Sequence, residues 1–390
     1  GINMRPLTVF ALETYADDPC ECFIPRNPNM VYISQHDENF WAKVHKAISV
    51  IQFKLEGQII KRHPEFNMDN HLMLDKINYE NGTIMLEGKE YKLKDTNFPT
   101  INPENPFELT DAEKELMNLL RSSFLRSEKL QNHVKFLYEK GSIYLTFNNN
   151  LLYHGCIPMN SDGTFTEVTL FGETVSGKSL MDKAEQLARD GYFAKNGSEE
   201  KEYGKDFLWF LWCYSPVYGK NKMTSFERYF IDDESTWVEI KDEYYHLIEK
   251  PSVCNKILCE FGIDPNNFSH IINGHVPVKI KKGESPIKAN GKLLVIDGGL
   301  SKAYQKVTGL AGYTLLFNSH GLLLSAHDAF ESIESAIKEE KDIHSTLDVV
   351  ELAPNRLLVE DTDAGKSLSK KITDLKALVD AYLKGKIKTH

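Results

Sequence analysis

The sequence predicts an α+β fold, a mostly helical block followed by a sheet-forming half. Three observations carry this expectation. Between residues 31 and 141, apolar residues recur at the three- and four-residue steps of buried helix faces. From residue 142 they give way to short strand-like runs. Two of those runs end in a histidine beside a glycine, Leu151-Leu152-Tyr153-His154-Gly155 and Ile271-Ile272-Asn273-Gly274-His275, where the chain would turn out of a sheet.

Taken in order, Leu7 to Tyr15 reads as a first helix. Residues 36–60 form a second, with Phe40, Trp41, Val44, Ala47, Ile48, Ile51 and Leu55 on one apolar stripe. Ile84 to Leu93 is a hairpin about Gly88, and Asn102-Pro103-Glu104-Asn105-Pro106 is a loop. Thr110-Asp111-Ala112-Glu113 is a capping box. It opens one long helix with Leu116, Leu119, Leu120, Leu130, Val134 and Leu137 inward, stopped near Gly141. Strands are expected at 142–147 and 151–153, an amphipathic helix at 177–195, and a buried apolar stretch at 206–212. Ser252 caps a helix that Gly262 ends. Further strands are expected at 276–280, 293–297 and 313–317, with 321–325 as a hairpin partner. Helices at 328–340 and 366–384 follow, the latter packing through Leu368, Ile372, Leu375, Leu378 and Tyr382.

The bulk numbers exclude some functions. Of 390 residues, 41% are apolar, enough for a substantial core, and the formal charge of −10 argues against nonspecific nucleic-acid binding. It does not argue against a small anionic substrate, because a local cation cluster overrides net charge. No apolar run approaches the roughly 18 residues of a membrane span, and no signal peptide precedes the first helix, so a cytoplasmic location is expected. The six cysteines, Cys20, Cys22, Cys156, Cys213, Cys254 and Cys259, show no C-x-x-C spacing and read as reduced thiols. Gly1 to Leu7 carries an internal Met and runs straight into helix, which reads as a cut within a domain.

His154 and His275 are the candidate metal ligands and catalytic residues. An adjacent Gly155 or Gly274 lets backbone approach an ion closely, and neutral imidazole suits Mn, Fe or Zn. The opposing reading is two satisfied histidines at strand ends. Lys279, Lys281, Lys282 and Lys288 make a basic turn, either a phosphate attractor or a solvated tip. Arg228, in the Gly219-containing basic segment 218–228, is suited to bidentate phosphate contact. Asp297 ends a strand, as support for a ligand or merely as a turn. Neither Gly-Asp-x-x-Asp-Arg-Gly nor Gly-Asn-His, motifs a two-metal phosphoesterase would use for its other ligands, occurs.

These segments together resemble the class III fructose-1,6-bisphosphatases. The resemblance is carried by Leu152-Tyr153-His154-Gly155-Cys156-Ile157-Pro158, Trp212-Cys213, Ser215-Pro216, Lys222-Met223-Thr224-Ser225-Phe226-Glu227-Arg228, Asn273-Gly274-His275-Val276-Pro277-Val278-Lys279, Gly283-Glu284-Ser285-Pro286, Asp297-Gly298-Gly299, Ala303-Tyr304-Gln305 and Ala311-Gly312-Tyr313-Thr314-Leu315. Gly1 to Leu7 is similar to the stretch following that family's Gly-Asn-His motif. More distantly, the two histidine motifs resemble those of calcineurin-like metallophosphoesterases.

The resemblance implies a calcineurin-like two-sheet sandwich flanked by helices, incomplete because its N-terminal half is missing, with a helical insertion. Residues 1–30 would end the N-terminal half, 31–141 form the insertion, 142–330 the C-terminal half of the sandwich, and 331–390 a helical extension. It implies hydrolysis of the 1-phosphate of fructose 1,6-bisphosphate in gluconeogenesis by a two-metal-activated water, with Mn2+ as cofactor. His154 and His275 would be ligands, Arg228, Lys279 and Lys282 substrate-phosphate contacts, and Asp297 a supporting group. Expected partners are the sugar bisphosphate and the missing N-terminal half, with no nucleic acid and no membrane; a homo-oligomer is left open. Two alternatives stand beside this. One is a metallophosphoesterase with another phosphorylated substrate. The other is a non-catalytic fragment that needs its N-terminal half.

Overall fold

The computed structural model describes residues 2–25, 35–213, 224–297, 312–327, 332–340 and 345–387, with the backbone alone at 35, 36 and 335. The first part is helical, as expected. Helix α1 (Arg5–Thr14) packs on the long α2 (Gln35–Arg62). Strands β1 (Ile77–Asn78), β2 (Thr83–Leu86) and β3 (Lys89–Lys92) make a small antiparallel sheet turning at Glu87 and Gly88, both with positive φ.

The capping box at Thr110 and Glu113 is present, but the single helix it was expected to open is two. α3 (Asp111–Arg126) ends at Ser127, whose ψ of 95° is extended, and α4 (Glu128–Lys140) begins there. Leu116 and Leu120 are buried, whereas Leu119 and Leu137 are 49% and 64% exposed. The break rotates the second segment's stripe away from the core that receives the first.

Two lysines fix α2 in this block through three ion pairs. Lys46 and Lys54 are wholly buried. Lys46 Nζ donates to Asp18 Oδ2 and Asp95 Oδ2, each at 2.6 Å, and Lys54 Nζ to Glu113 Oε2 at 2.7 Å and the Thr100 carbonyl at 2.6 Å. Burial holds the Lys54 ammonium below its usual range, with Glu113 opposing.

The sheet-forming half begins with β4 (Tyr144–Phe147) and β5 (Asn150–Tyr153), then the hairpin β6 (Val168–Leu170) and β7 (Glu173–Val175). Helices α5 (Gly177–Phe193) and α6 (Glu199–Cys213) pack with their backbones almost touching. A Cβ on Gly204 would lie 2.3 Å from the Gly191 nitrogen. The run 206–212 is not buried throughout, as was expected. It lies on a helix, so its seven residues cover two full turns: Phe207 and Phe210 face inward and Trp212 is 66% exposed. Short helices α7 (Ser225–Phe230) and α8 (Tyr244–Leu247) lead to α9 (Pro251–Glu260), which Pro251 opens at its first position and Gly262 (φ 73°) closes.

Strands β8 (Ile271–Asn273), β9 (Ile287–Lys288) and β10 (Leu293–Val295) complete a five-stranded sheet of order β4-β5-β8-β10-β9. Its three central strands, β5, β8 and β10, run parallel. Strand alternation divides their side chains between two cores. Leu151, Tyr153, Ile271, Leu293 and Val295 face α5, α6 and α9. Leu152, Ile272 and Leu294 face a second, antiparallel sheet made of β11 (Gly312–Asn318), β12 (Gly321–His327) and β13 (Ser345–Leu352).

Four further expectations are corrected. Residues 276–280 form no strand: Pro277 lacks the N–H a ladder needs, and the chain folds into a short helical turn at Ile280–Lys282. The region past 330 is not simply a helical extension. Within it, α10 (Ile333–Lys338) precedes β13, which belongs to the second sheet. The core of the helical block is not confined to 31–141 but also takes Phe226, Phe230 and Ile231. Finally, α11 (Asp363–Leu383) has the expected stripe, yet Leu368, Ile372, Leu375 and Tyr382 are all exposed. Among the described residues no helix is long and apolar enough to cross a membrane.

Candidate metal centre

The parallel strands place the site. In a parallel sheet the carboxyl ends of neighbouring strands share one edge, and the loops leaving them meet there. His154 leaves β5, Gly274 and His275 leave β8, and Asp297 follows β10, so three of the sequence-predicted residues reach a single edge. The Val278 N–H donates to the Asp297 carbonyl at 3.0 Å, tying the loop after His275 to the end of β10.

The two imidazoles come together there. Their ring centroids lie 5.2 Å apart with planes inclined at 78°. His154 is exposed and His275 half-buried, so the pair opens to solvent. His275 has φ 65°, in the left-handed region that a side chain with a Cβ occupies only at a cost of about 1–2 kcal/mol. Such an outlier is held by its surroundings. Here the Gly274 N–H donates to the His154 carbonyl at 3.2 Å, and the Val276 N–H to the Gly274 carbonyl at 2.8 Å, closing a tight turn on both sides of His275. Gly274 also leaves room for its neighbour: a Cβ there would stand 3.1 Å from His154 Nδ1.

The motif's cysteine packs in the core. Cys156 is wholly buried, and burial, with the Asp242 carboxylate adding to it, pushes its thiol well above the usual range. Asp242 itself is raised by burial and spends its Oδ1 accepting from the Met159 and Tyr244 N–H groups. Beneath the pair, the fully buried Tyr153 and Tyr244 hydroxyls share a 2.6 Å hydrogen bond.

The cationic candidates are distributed. Lys279 and Lys282 lie on the turn after His275, where the Lys279 N–H donates to Glu284 Oε2 at 2.9 Å and Gly283 closes the turn at φ 80°. Arg228 is engaged elsewhere. Its Nε donates to Thr224 Oγ1 at 2.9 Å and its Nη2 to the Trp237 carbonyl at 2.9 Å, between Phe226 and Phe230 of the helical block's core. Residues 214–223 and 298–311, which include Gly219, Gly298, Gly299 and Ser301, lie outside the described residues.

Sequence reasoning passes over two Asp-x-His triplets. Asp69-Asn70-His71 forms a helical turn whose His71 lines a separate cleft with Glu65, Phe66 and Glu167, not the His154 edge. Asp342-Ile343-His344 lies outside the described residues. It also misses Asn273, whose amide bonds to the His154 loop; the only sequence signal is its place before Gly274. Among the described residues no cluster of three or more His, Cys, Asp or Glu side chains is disposed to hold a metal. Two imidazoles at one edge are donors of a kind that suits a divalent transition ion.

A family model described as Firmicute fructose-1,6-bisphosphatase matches residues 1–384. Curated relatives named fructose-1,6-bisphosphatase class 3 align along the chain. That of Clostridium novyi (strain NT) is 56% identical over 390 residues, covering 100% of this chain and 58% of the relative. That of Alkaliphilus metalliredigens (strain QYMF) is 57% identical over 392 residues, covering 100% and 59%. That of Clostridium tetani (strain Massachusetts / E88) is 55% identical over 389 residues, covering 99% and 58%. The chain thus spans 58–59% of the length of these relatives. No solved structure matches it.

Proposed function

The chain belongs to the Firmicute fructose-1,6-bisphosphatase family, and from that premise we propose that it furnishes part of a metal-dependent site releasing the 1-phosphate of fructose 1,6-bisphosphate. The product is fructose 6-phosphate, a step of gluconeogenesis. The observation that carries the reading is the pair His154 and His275, brought within 5.2 Å at the carboxyl edge of a parallel sheet and open to solvent. The architecture we read as belonging to a calcineurin-like metallophosphoesterase sandwich, with the helical block as an insertion and β13 counted within the sandwich.

His154 and His275 would hold divalent metal, for which we propose Mn2+, as neutral imidazoles. A bound two-metal centre supplies a water of lowered pKa and positive charge for the phosphoryl oxygens. The chain's own contribution is placement. The two rings would offer nitrogens to the ion from one sheet edge, with His275 held in its strained turn and the Asp297 carbonyl tying the following loop to the end of β10. Lys279 and Lys282 draw the sugar bisphosphate towards the same edge. Arg228 takes a lesser part in phosphate contact, because Thr224 and Trp237 already engage its guanidinium.

Two measurements test this. Mn2+ titration followed by electron paramagnetic resonance should show His154→Ala and His275→Ala weakening binding by at least the roughly 10- to 100-fold typical of losing a supporting residue. Phosphate release from fructose 1,6-bisphosphate should exceed release from a phosphopeptide. Turnover by these 390 residues alone is part of the question, since they span 58–59% of the relatives' length. Equal Mn2+ binding by the unmodified chain and both variants would overturn the metal assignment, and preference for the phosphopeptide would overturn the substrate.

A further inference from the structure

Parallel strands β5 and β8 pair only through Leu151 with Ile271 and Leu152 with Ile272. The next residues on each strand lead into the two histidine loops, which a single backbone bond joins, from the Gly274 N–H to the His154 carbonyl at 3.2 Å. Asn273 stands at that point. It is the last residue of β8 and only 3% exposed, and its backbone carbonyl accepts from the Ile296 N–H at 3.0 Å, joining it to the β10 side. Its side chain points the other way. Nδ2 donates to the Gly155 carbonyl at 2.6 Å and lies 3.4 Å from the His154 carbonyl, which also accepts from the Gly274 N–H at 3.2 Å.

We propose that Asn273 is the positioning residue of the histidine pair: its side-chain amide reinforces the single backbone bond between the two histidine loops, and so sets the distance between His154 and His275. Two features single it out. Its amide engages consecutive carbonyls, those of His154 and Gly155, so it constrains both the place and the tilt of the loop bearing the first imidazole. Through its own backbone it is one residue from Gly274 and two from His275, so the same residue anchors the second. An aspartate has the same shape but no donor, and would set a carboxylate against two carbonyl oxygens. Loss of the donor, rather than of volume, is therefore what should separate the rings. The inference rests on the metal reading above only in its second readout.

The experiment uses the full 390-residue chain with 13C-labelled histidine. The unmodified chain should give a nuclear Overhauser cross-peak between the His154 and His275 rings. Asn273→Asp and Asn273→Ala, shown by circular dichroism to be folded, should both lose it. Co2+, titrated as the probe ion and read by its visible absorption, should bind these variants about 10- to 100-fold more weakly. A purely structural role would lower the melting temperature and leave the cross-peak in place. A cross-peak that persists in a folded variant, or that is absent from the unmodified chain, overturns the proposal. If the cross-peak is lost while Co2+ binding is unchanged, or if the unmodified chain binds no Co2+, the positioning role stands and the metal reading fails. Should neither variant fold, hydrogen exchange of the Asn273 side-chain amide in the unmodified chain decides. Protection supports the bonds to Gly155 and His154, and exchange at the rate of a free amide overturns them.

Discussion

Gly274→Ala separates the geometry of the site from the stability of the fold. The φ of Gly274 is not positive, so alanine is conformationally tolerated there. Replacing glycine at such a position stabilises a protein by about 0.4–1 kcal/mol through the unfolded chain. The new methyl group would stand 3.1 Å from His154 Nδ1, 3.7 Å from Cε1 and 3.8 Å from the His154 carbonyl oxygen. Only the first contact is too close, against an ordinary separation of about 3.5–4.0 Å, so the ring must withdraw by roughly 0.4 Å or turn off its rotamer. Turning it costs about 0.5–1.5 kcal/mol. The two effects nearly cancel, and the free energy of unfolding should stay within about 1 kcal/mol of the unmodified value. Metal binding has no such compensation. A ligand atom displaced by 0.4 Å exceeds the ~0.2 Å over which coordination distances are tolerated, and Co2+ affinity should fall at least tenfold. Urea denaturation of the metal-free chain and a Co2+ titration read the two quantities separately. Unchanged Co2+ affinity would refute the reasoning, because it would mean that the His154 face towards Gly274 is not what orients a ligand.

Three other outcomes are expected. Lys54→Met leaves the Glu113 carboxylate buried without its cation and should destabilise the chain by about 3–5 kcal/mol, with Lys54→Met combined with Glu113→Gln recovering much of the loss; urea midpoints of the single and double variants check this. Gly204→Ala drives a methyl group to 2.3 Å from the Gly191 nitrogen, so α5 and α6 must part, costing about 1–3 kcal/mol or more, whereas Gly163→Ala, with nothing within 4 Å but φ 81°, should cost only its backbone strain; thermal melts distinguish the two. His270 has no exposed side-chain surface and sits between Asn150 Oδ1 at 3.0 Å and Glu351 Oε2 at 2.9 Å. Burial holds its pKa below the ordinary histidine value, with Lys292 acting in the same direction and Glu351 opposing. Its folded-state pKa therefore lies below its unfolded one. The stability it contributes is present above about pH 6.5 and is lost as pH falls through the folded value. Protection factors of the β13 amides, corrected for the intrinsic slowing of exchange in acid, should fall on acidification through that window, and should not do so in His270→Gln.

What could be read from the sequence divides along the range of the interaction that decides it. Helix α2 was legible because its stripe needs only a 3.6-residue period, and the capping box at Thr110 because its two bonds join residues three apart. The break at Ser127 was not, since no proline or glycine marks it and the rotation of α4 depends on what the first stripe packs against. Nor was the strand β13, whose partner β12 lies some twenty residues back, with α10 between them. The exposure of the α11 stripe shows the limit most plainly: periodicity announces a face able to pack and says nothing of whether a surface meets it. The candidate metal centre divides the same way. His154 and His275 were legible as residue types beside glycine at the ends of apolar runs, more than a hundred positions apart. That they would meet follows only from the parallel pairing of β5 with β8, a single non-local register. Asn273, inside the same motif, was read as part of a strand because its function is to bond to the backbone of the other motif. A residue whose role is to hold two distant loops together carries no local signature of that role. The residues that position a site are therefore harder to read than those that bear its chemistry, and substitutions at Gly274 and Asn273 test the folding of this centre more directly than removal of either histidine.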